Sequence, residues 1–190
     1  MYDTSYNIVP FLLGIMTFFA IFYIIAMVFA LALTAAEYVG RWFTFKKMNL
    51  PGWKGIIPFY NIYCLFKELW NTAAFKTTMI YYGVFFVCML IGEFLTMFGT
   101  PFMMEGATHS ETGFTVAGVI VLVIGLLLGI AAVVFAVLYI VMTYKLYVRL
   151  ANSFGKSKGW AFGLLFLSPV FFLILGFDKK LVYYGRVDGE

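Results

Sequence analysis

Residues 114–144, FTVAGVIVLVIGLLLGIAAVVFAVLYIVMTY, run for 31 positions without a charge before Lys145. As an α-helix this stretch would measure about 46 Å, against a hydrocarbon core of about 30 Å, so it reads as a membrane span that tilts or protrudes. Residues 8–36 are uncharged over 29 positions, with Pro10 near the start, and residues 77–98 are interrupted only by Glu93. In lipid such segments must be helical, because only then are all backbone groups paired within the segment. Among 190 residues, 64% are hydrophobic and 12% charged, and the mean hydropathy is +0.97. That is about half the charge of an average soluble chain. No polar run is long enough for a linker or a separate soluble catalytic domain, so residues 1–190 read as one all-α, polytopic membrane domain. The first run lacks a preceding Lys or Arg and is too long for a signal h-region, so it is expected to remain as a span.

The basic residues give the direction. The first connection carries Arg41, Lys46, Lys47, Lys54, Lys67 and Lys76, and the third carries Lys145, Arg149, Lys156 and Lys158. The second, residues 99–113, carries Glu105, His109 and Glu111 with no Lys or Arg. The positive-inside rule places the first and third connections in the cytoplasm and the N-terminus outside. The net charge of +4 then serves orientation, and nucleic acid is not an expected partner. Residues 160–177 are 18 in number, about 27 Å as a helix, with Ser168-Pro169 in the middle. They form either a fourth short helix or a re-entrant hairpin. Crossing is favoured, because a proline inside a span is tolerated more readily than a lipid-exposed turn.

Residues 51–70, PGWKGIIPFYNIYCLFKELW, are too apolar for an ordinary loop, yet the uncharged core between Lys54 and Lys67 is twelve residues, about 18 Å as a helix. With basic flanks on both sides, the segment is expected to enter from the cytoplasmic face, break near Pro58 to Asn61 and leave on the same side. Pro58 disfavours helix before it. Asn61 is expected to cap a helix over residues 62–70. Tyr60 and Asn61 would offer polar groups at membrane depth, as a structural hinge or as a substrate or ion site. A similar pattern recurs in GRWFTFKKMNLPGWKGIIP and VRLANSFGKSKGWAFGLLFLSP, which pair Arg41 with Arg149, Trp53 with Trp160 and Pro58 with Pro169. Paired broken segments can mark a site at a repeat interface. Equally, any chain returning to a bilayer needs Lys, Gly and Trp at the headgroups.

The runs KKMNLPGWKGIIPFYNIY and LANSFGKSKGWAFGLLFLSPVFFLILGF resemble the two blocks of a family of small bacterial integral-membrane proteins of unknown function. Similar segments accompany some signal peptidases. The resemblance implies a membrane fold and a bacterial cytoplasmic (inner) membrane location, and supplies no activity.

The remaining chemistry is sparse. Glu93 is the carboxylate within a clear span, where ionisable groups are costly and often functional. With Glu105, His109 and Glu111 it could form a shallow cation site, although no spacing argues for a metal, and none is expected. Cys64 and Cys88 lack metal-ligand spacing. Ser153 and Lys156 match Ser-x-x-Lys, but in a basic turn without the desolvated setting that a Ser/Lys nucleophile needs. Gly118, Gly125 and Gly129 lie on one face of the third span, where small residues let helices approach, and packing against the chain's own first or second span is favoured over dimerisation. The expectation is therefore a non-enzymatic subunit or scaffold of a membrane complex, without cofactor, whose partners are the bilayer and a membrane protein or a second copy. The alternatives are a small transporter or channel using Asn61, Pro169 and Glu93, and an intramembrane enzyme.

Overall fold

The computed structural model describes residues 5–109 and 112–186. Every regular element among them is helical: α1 (Ser5–Lys47), a 3₁₀ turn (Gly52–Gly55), α2 (Tyr60–Leu69), α3 (Thr72–His109), α4 (Thr112–Ser153), α5 (Gly159–Phe166) and α6 (Ser168–Phe177). Three stretches are long and apolar enough to cross a membrane, Pro10–Lys47, Thr72–Glu105 and Val116–Ser153. They outlast the uncharged runs because a charge ends a hydrocarbon span without ending a helix. In α1 the charges even reinforce it, since Arg41 bonds Glu37 one turn earlier at 2.6 Å.

What stops α1 and α4 is the same backbone device. At the end of α1, Leu50 N–H donates to Phe45 C=O and Asn49 N–H to Lys46 C=O, with Asn49 at φ 57°. At the end of α4, Lys156 N–H donates to Ala151 C=O and Gly155 N–H to Asn152 C=O, with Gly155 at φ 67°. Both are left-handed Schellman caps, built on the residue types that accept positive φ most readily. Asn71 caps the start of α3, its Oδ1 accepting from Ala74 N–H at 2.6 Å.

The segment after each cap turns back on itself. Gly52–Gly55 packs on α1, the chain reverses at Pro58-Phe59, and α2 returns against α3 and α4. Likewise α5 packs on α4, the chain bends by 118° at Leu167, and α6 lies along α1. Each broken unit thus docks its first part on its own long helix and its second part on the other unit's. The arginines follow the same exchange: Arg41 lies 4.5 Å from the Phe172 ring centroid, and Arg149 4.6 Å from that of Trp70. This reciprocity gives the sequence repeat a structural form that headgroup composition alone does not require.

The α5–α6 pair does not run through, contrary to the crossing that proline tolerance favoured. Lys47 Nζ donates to the Leu175 and Asp178 carbonyls at 2.8 and 2.7 Å, and Tyr184 N–H donates to Ser153 C=O at 2.8 Å. The end of α6 and the tail after it are therefore tied to the basic ends of α1 and α4, and α5 begins beside that same end of α4. The intact helix that would make Pro169 an internal kink never forms, and Pro169 instead occupies the first turn of α6, where a missing N–H costs nothing.

The buried core collects at this basic end, with Phe45, Phe66, Leu146, Leu150, Leu164, Phe172 and Leu175 almost fully enclosed. Beyond it α3 and α4 pair as a hairpin. A Cβ on Gly118 would fall 2.6 Å from Met103 N, and one on Gly125 2.9 Å from Thr96 Cγ2, so both glycines permit the approach. Gly129 does not: a Cβ there would meet nothing within 4 Å. The packing face is thus shorter than the glycine spacing suggests. By contrast the Cα trace of α1 stays more than 8 Å from those of α3 and α4. Its side chains meet α4 at the basic end, where Arg41 bonds Tyr147, and residues 10–35 are exposed throughout.

The tail beyond α6 closes the core through Leu181 and Tyr183. Burial, and then the neighbouring Glu68 carboxylate, push the Tyr183 hydroxyl from 10.0 up to about 12. The fold favours the neutral phenol, so this contribution is complete below pH 10 and disappears as pH rises from 10 to about 12. An absorbance titration of the phenolates should therefore contain a late component that shrinks in Tyr183→Phe.

Candidate functional site

The polar groups singled out in the sequence fall in separate places. Pro58, Tyr60 and Asn61 sit at the apex of the first broken unit, beside α1. Tyr60 N–H donates to Pro58 C=O at 2.6 Å, and Phe59 between them has φ 61° and ψ −41°. This is a γ-turn at positive φ, a rare conformation for a bulky residue, and such strain concentrates where structure over-determines it. The turn starts α2 at Tyr60, so Asn61 lies inside the helix and is not its cap, and Phe59 at the cap position makes no side-chain bond. The rings of Trp53, Tyr60 and Tyr63 stack in series at 6.2 and 5.9 Å.

Asn61 is 5% exposed. Its Nδ2 donates to Gly55 C=O at 3.3 Å, while Oδ1 is buried without a donor among the described residues. Between this residue and α1 lies a cleft of about 240 Å³, lined by Thr34, Glu37, Tyr38, Arg41, Pro58 and Asn61. Arg41 donates through both Nε and Nη2 to one Glu37 oxygen, Oε1, at 2.9 and 2.6 Å. Glu37, Tyr38 and Arg41 did not stand out in the sequence as site residues. The visible signal was the i, i+4 spacing of Glu37 and Arg41 at the edge of the first apolar run.

Glu93 occupies a different groove, of about 330 Å³, between α3 and α4. Its exposed carboxylate borders Gly92, Gly125 and Gly129, and the missing side chain of Gly129 helps to open this space. Pro169 lies in the other broken unit, and α6 meets α1 through Gly40 and Thr44, whereas the Asn61 cleft uses Glu37, Tyr38 and Arg41. The Cα traces of α2 and α6 stay more than 8 Å apart. Asn61, Glu93 and Pro169 therefore do not form one site.

Ser153 Oγ turns back to donate to Leu150 C=O at 2.8 Å, and Lys156 Nζ lies 4.8 Å from the Trp160 ring centroid, so the Ser-x-x-Lys pair is not assembled. Burial pushes the Cys64 thiol up, away from reactivity. Among the described residues no three His, Cys, Asp or Glu side chains come together. Glu111 and the His109 side chain, invoked for a shallow cation site, lie outside the described residues.

These features define a small polytopic α-helical membrane protein built from two interlocked units, each a long helix with a broken return. Residues 114–186 match the family described as "Family of unknown function (DUF5684)". The match spans α4, α5, α6 and the tail, which is the second unit. No curated protein and no solved structure matches the chain.

Proposed function

We propose that the chain is a non-enzymatic subunit or scaffold of a membrane complex, and that it receives a partner's transmembrane helix along its first span. One observation carries this reading: residues 10–35 are exposed all along the helix, while the end of the same helix is locked into the core. Within lipid the hydrophobic effect does not drive helices together, so helices associate through close packing and interhelical polar contacts. A span held rigidly at its base and left bare along its length is presented to such packing at little further cost in ordering. The basic connections favour a setting in a bacterial cytoplasmic membrane, with the packed end cytoplasmic and the N-terminus outside.

The test is photo-crosslinking in the native membrane from probes placed at Phe22 and Ile25, followed by purification in mild detergent and mass spectrometry. A discrete adduct with one membrane protein, or with a second copy of the chain, is the expected result. Cross-links to lipid alone at both positions would reject the reading.

A further inference from the structure

Going beyond that reading, we propose that the cleft between α1 and the Pro58-Phe59 turn binds a primary ammonium group, and that its source is the ethanolamine headgroup of a membrane lipid. Three acceptors on the cleft, Asn61 Oδ1, Glu37 Oε2 and the Thr34 hydroxyl oxygen, take no hydrogen bond among the described residues, and the Tyr38 hydroxyl beside them can donate or accept. Asn61 cannot be reversed to present its nitrogen, because the Nδ2 bond to Gly55 C=O would become an oxygen facing an oxygen. That leaves Oδ1 buried and without a donor. The Thr34 hydroxyl donates to Ala30 C=O at 2.8 Å and so offers the cleft only its lone pairs. Glu37 engages Arg41 through Oε1, and Oε2 accepts no hydrogen bond among the described residues.

Arg41 does not invite an anion. Its Nε and Nη2 converge on Glu37, it also bonds the buried Tyr147 hydroxyl, and its plane lies against Phe172. An acceptor buried without a donor costs about 1–3 kcal/mol, so the site favours a ligand rich in N–H groups. The Glu37 charge is balanced by Arg41, but its free Oε2 is a carboxylate oxygen, which takes a charge-assisted hydrogen bond more strongly than a neutral one. A primary ammonium brings three donors and no acceptor, which complements this lining.

Position selects the lipid. The cleft begins at Thr34 and ends at Arg41, where the 29-residue uncharged run gives way to Glu37. That boundary is headgroup level for a helix continuing into a basic end. A volume of about 240 Å³ accommodates a small headgroup and excludes acyl chains, which would lie along the bare surface of α1.

The full-length protein in phosphatidylcholine nanodiscs, titrated with phosphatidylethanolamine and followed by thermal unfolding and native mass spectrometry, tests this. Phosphatidylethanolamine should bind and stabilise at least about tenfold more strongly than its N-trimethylated counterpart, since trimethylation removes every charge-assisted hydrogen bond. Stepwise N-methylation should weaken binding in order. Asn61→Leu removes the orphan acceptor and should abolish the preference while retaining the fold. Glu37→Gln provides a second variant with the same expected loss. Competition by soluble ethanolamine would show that the ammonium is recognised without its chains, and absence of competition would make the lipid the required source. Equal stabilisation by the two headgroups, or a preference that survives both substitutions, would overturn the proposal and leave water as the partner of Asn61.

Discussion

Gly40→Leu should detach α6 from α1 and unfold the basic end of the molecule. A Cβ at position 40 would lie 2.5 Å from the Phe172 carbonyl carbon and 2.6 Å from Leu173 N, and neither backbone atom can rotate away. Gly176 faces the same contact from the other side, where a Cβ would fall 2.8 Å from Gly40 O. The two helices thus meet backbone to backbone, and a side chain between them must displace α6 as a body. That displacement would unseat Phe172 and Leu175, both fully buried, and pull the Leu175 and Asp178 carbonyls away from Lys47. Losing the packing of one large core side chain costs about 3–5 kcal/mol, and two would consume much of the usual 5–15 kcal/mol of total stability. The expected result in detergent is a large fall in melting temperature, together with new proteolysis in residues 155–186. Gly14→Leu and Gly83→Leu are the matched controls, since a Cβ at either position meets nothing within 4 Å. Melting of Gly40→Leu indistinguishable from these controls would refute the docking.

That contact shows where the sequence stops being informative. The three spans are legible because 22 or more consecutive residues with at most one charge have few physical explanations. The return of residues 51–70 is legible for a related reason: its uncharged core is too short to cross and both flanks are basic. The second return was obscured because a proline in an apolar segment fits a kinked span as well as a turn. What separates the two outcomes is a lysine bonded to carbonyls 128 and 131 residues away and a glycine pair from opposite ends of the chain, neither of which has a local signature.

Local rules failed where backbone geometry shifted their register. Asn61 satisfies the composition of an N-cap, but the γ-turn at Phe59 starts the helix at Tyr60 and carries the side chain inside. Asn71, with its short apolar run following, is the residue that caps. Gly129 continues a small-residue face by spacing, yet helix contact depends also on where the partner's bulk lies, and opposite Gly129 there is a groove. The candidate cleft was half visible: Pro58, Tyr60 and Asn61 stood out as breaks in an apolar segment. Glu37 and Arg41 read as an ordinary ion pair until α1 was placed beside that segment.

Replacing residues 11–33 with an alternating Leu-Ala sequence should leave melting of the purified protein unchanged and abolish its adducts. Ordinarily rewriting a block of 23 residues would destroy a domain, because each buried change removes contacts or strains them. Here every one of these residues is exposed and the contacts of α1 with the core lie beyond them, at Gly40, Arg41, Thr44 and Phe45, so little intrachain packing is lost. Leu and Ala are strong helix formers and apolar, so the span still inserts and the helix still reaches Gly40 and Arg41. What changes is the shape of the bare surface, which now carries large aromatics such as Phe18, Phe22 and Phe29. Association in lipid depends on the fit of such surfaces and on polar contacts across them, so a partner selected by this span should dissociate. A control with the native residues restored in 11–22 and then in 23–33 would show which half the partner reads. If the substituted protein melts far below the parent, the first span packs within its own chain; if its adducts persist, the partner docks elsewhere, and the groove beside Glu93 becomes the surface to probe.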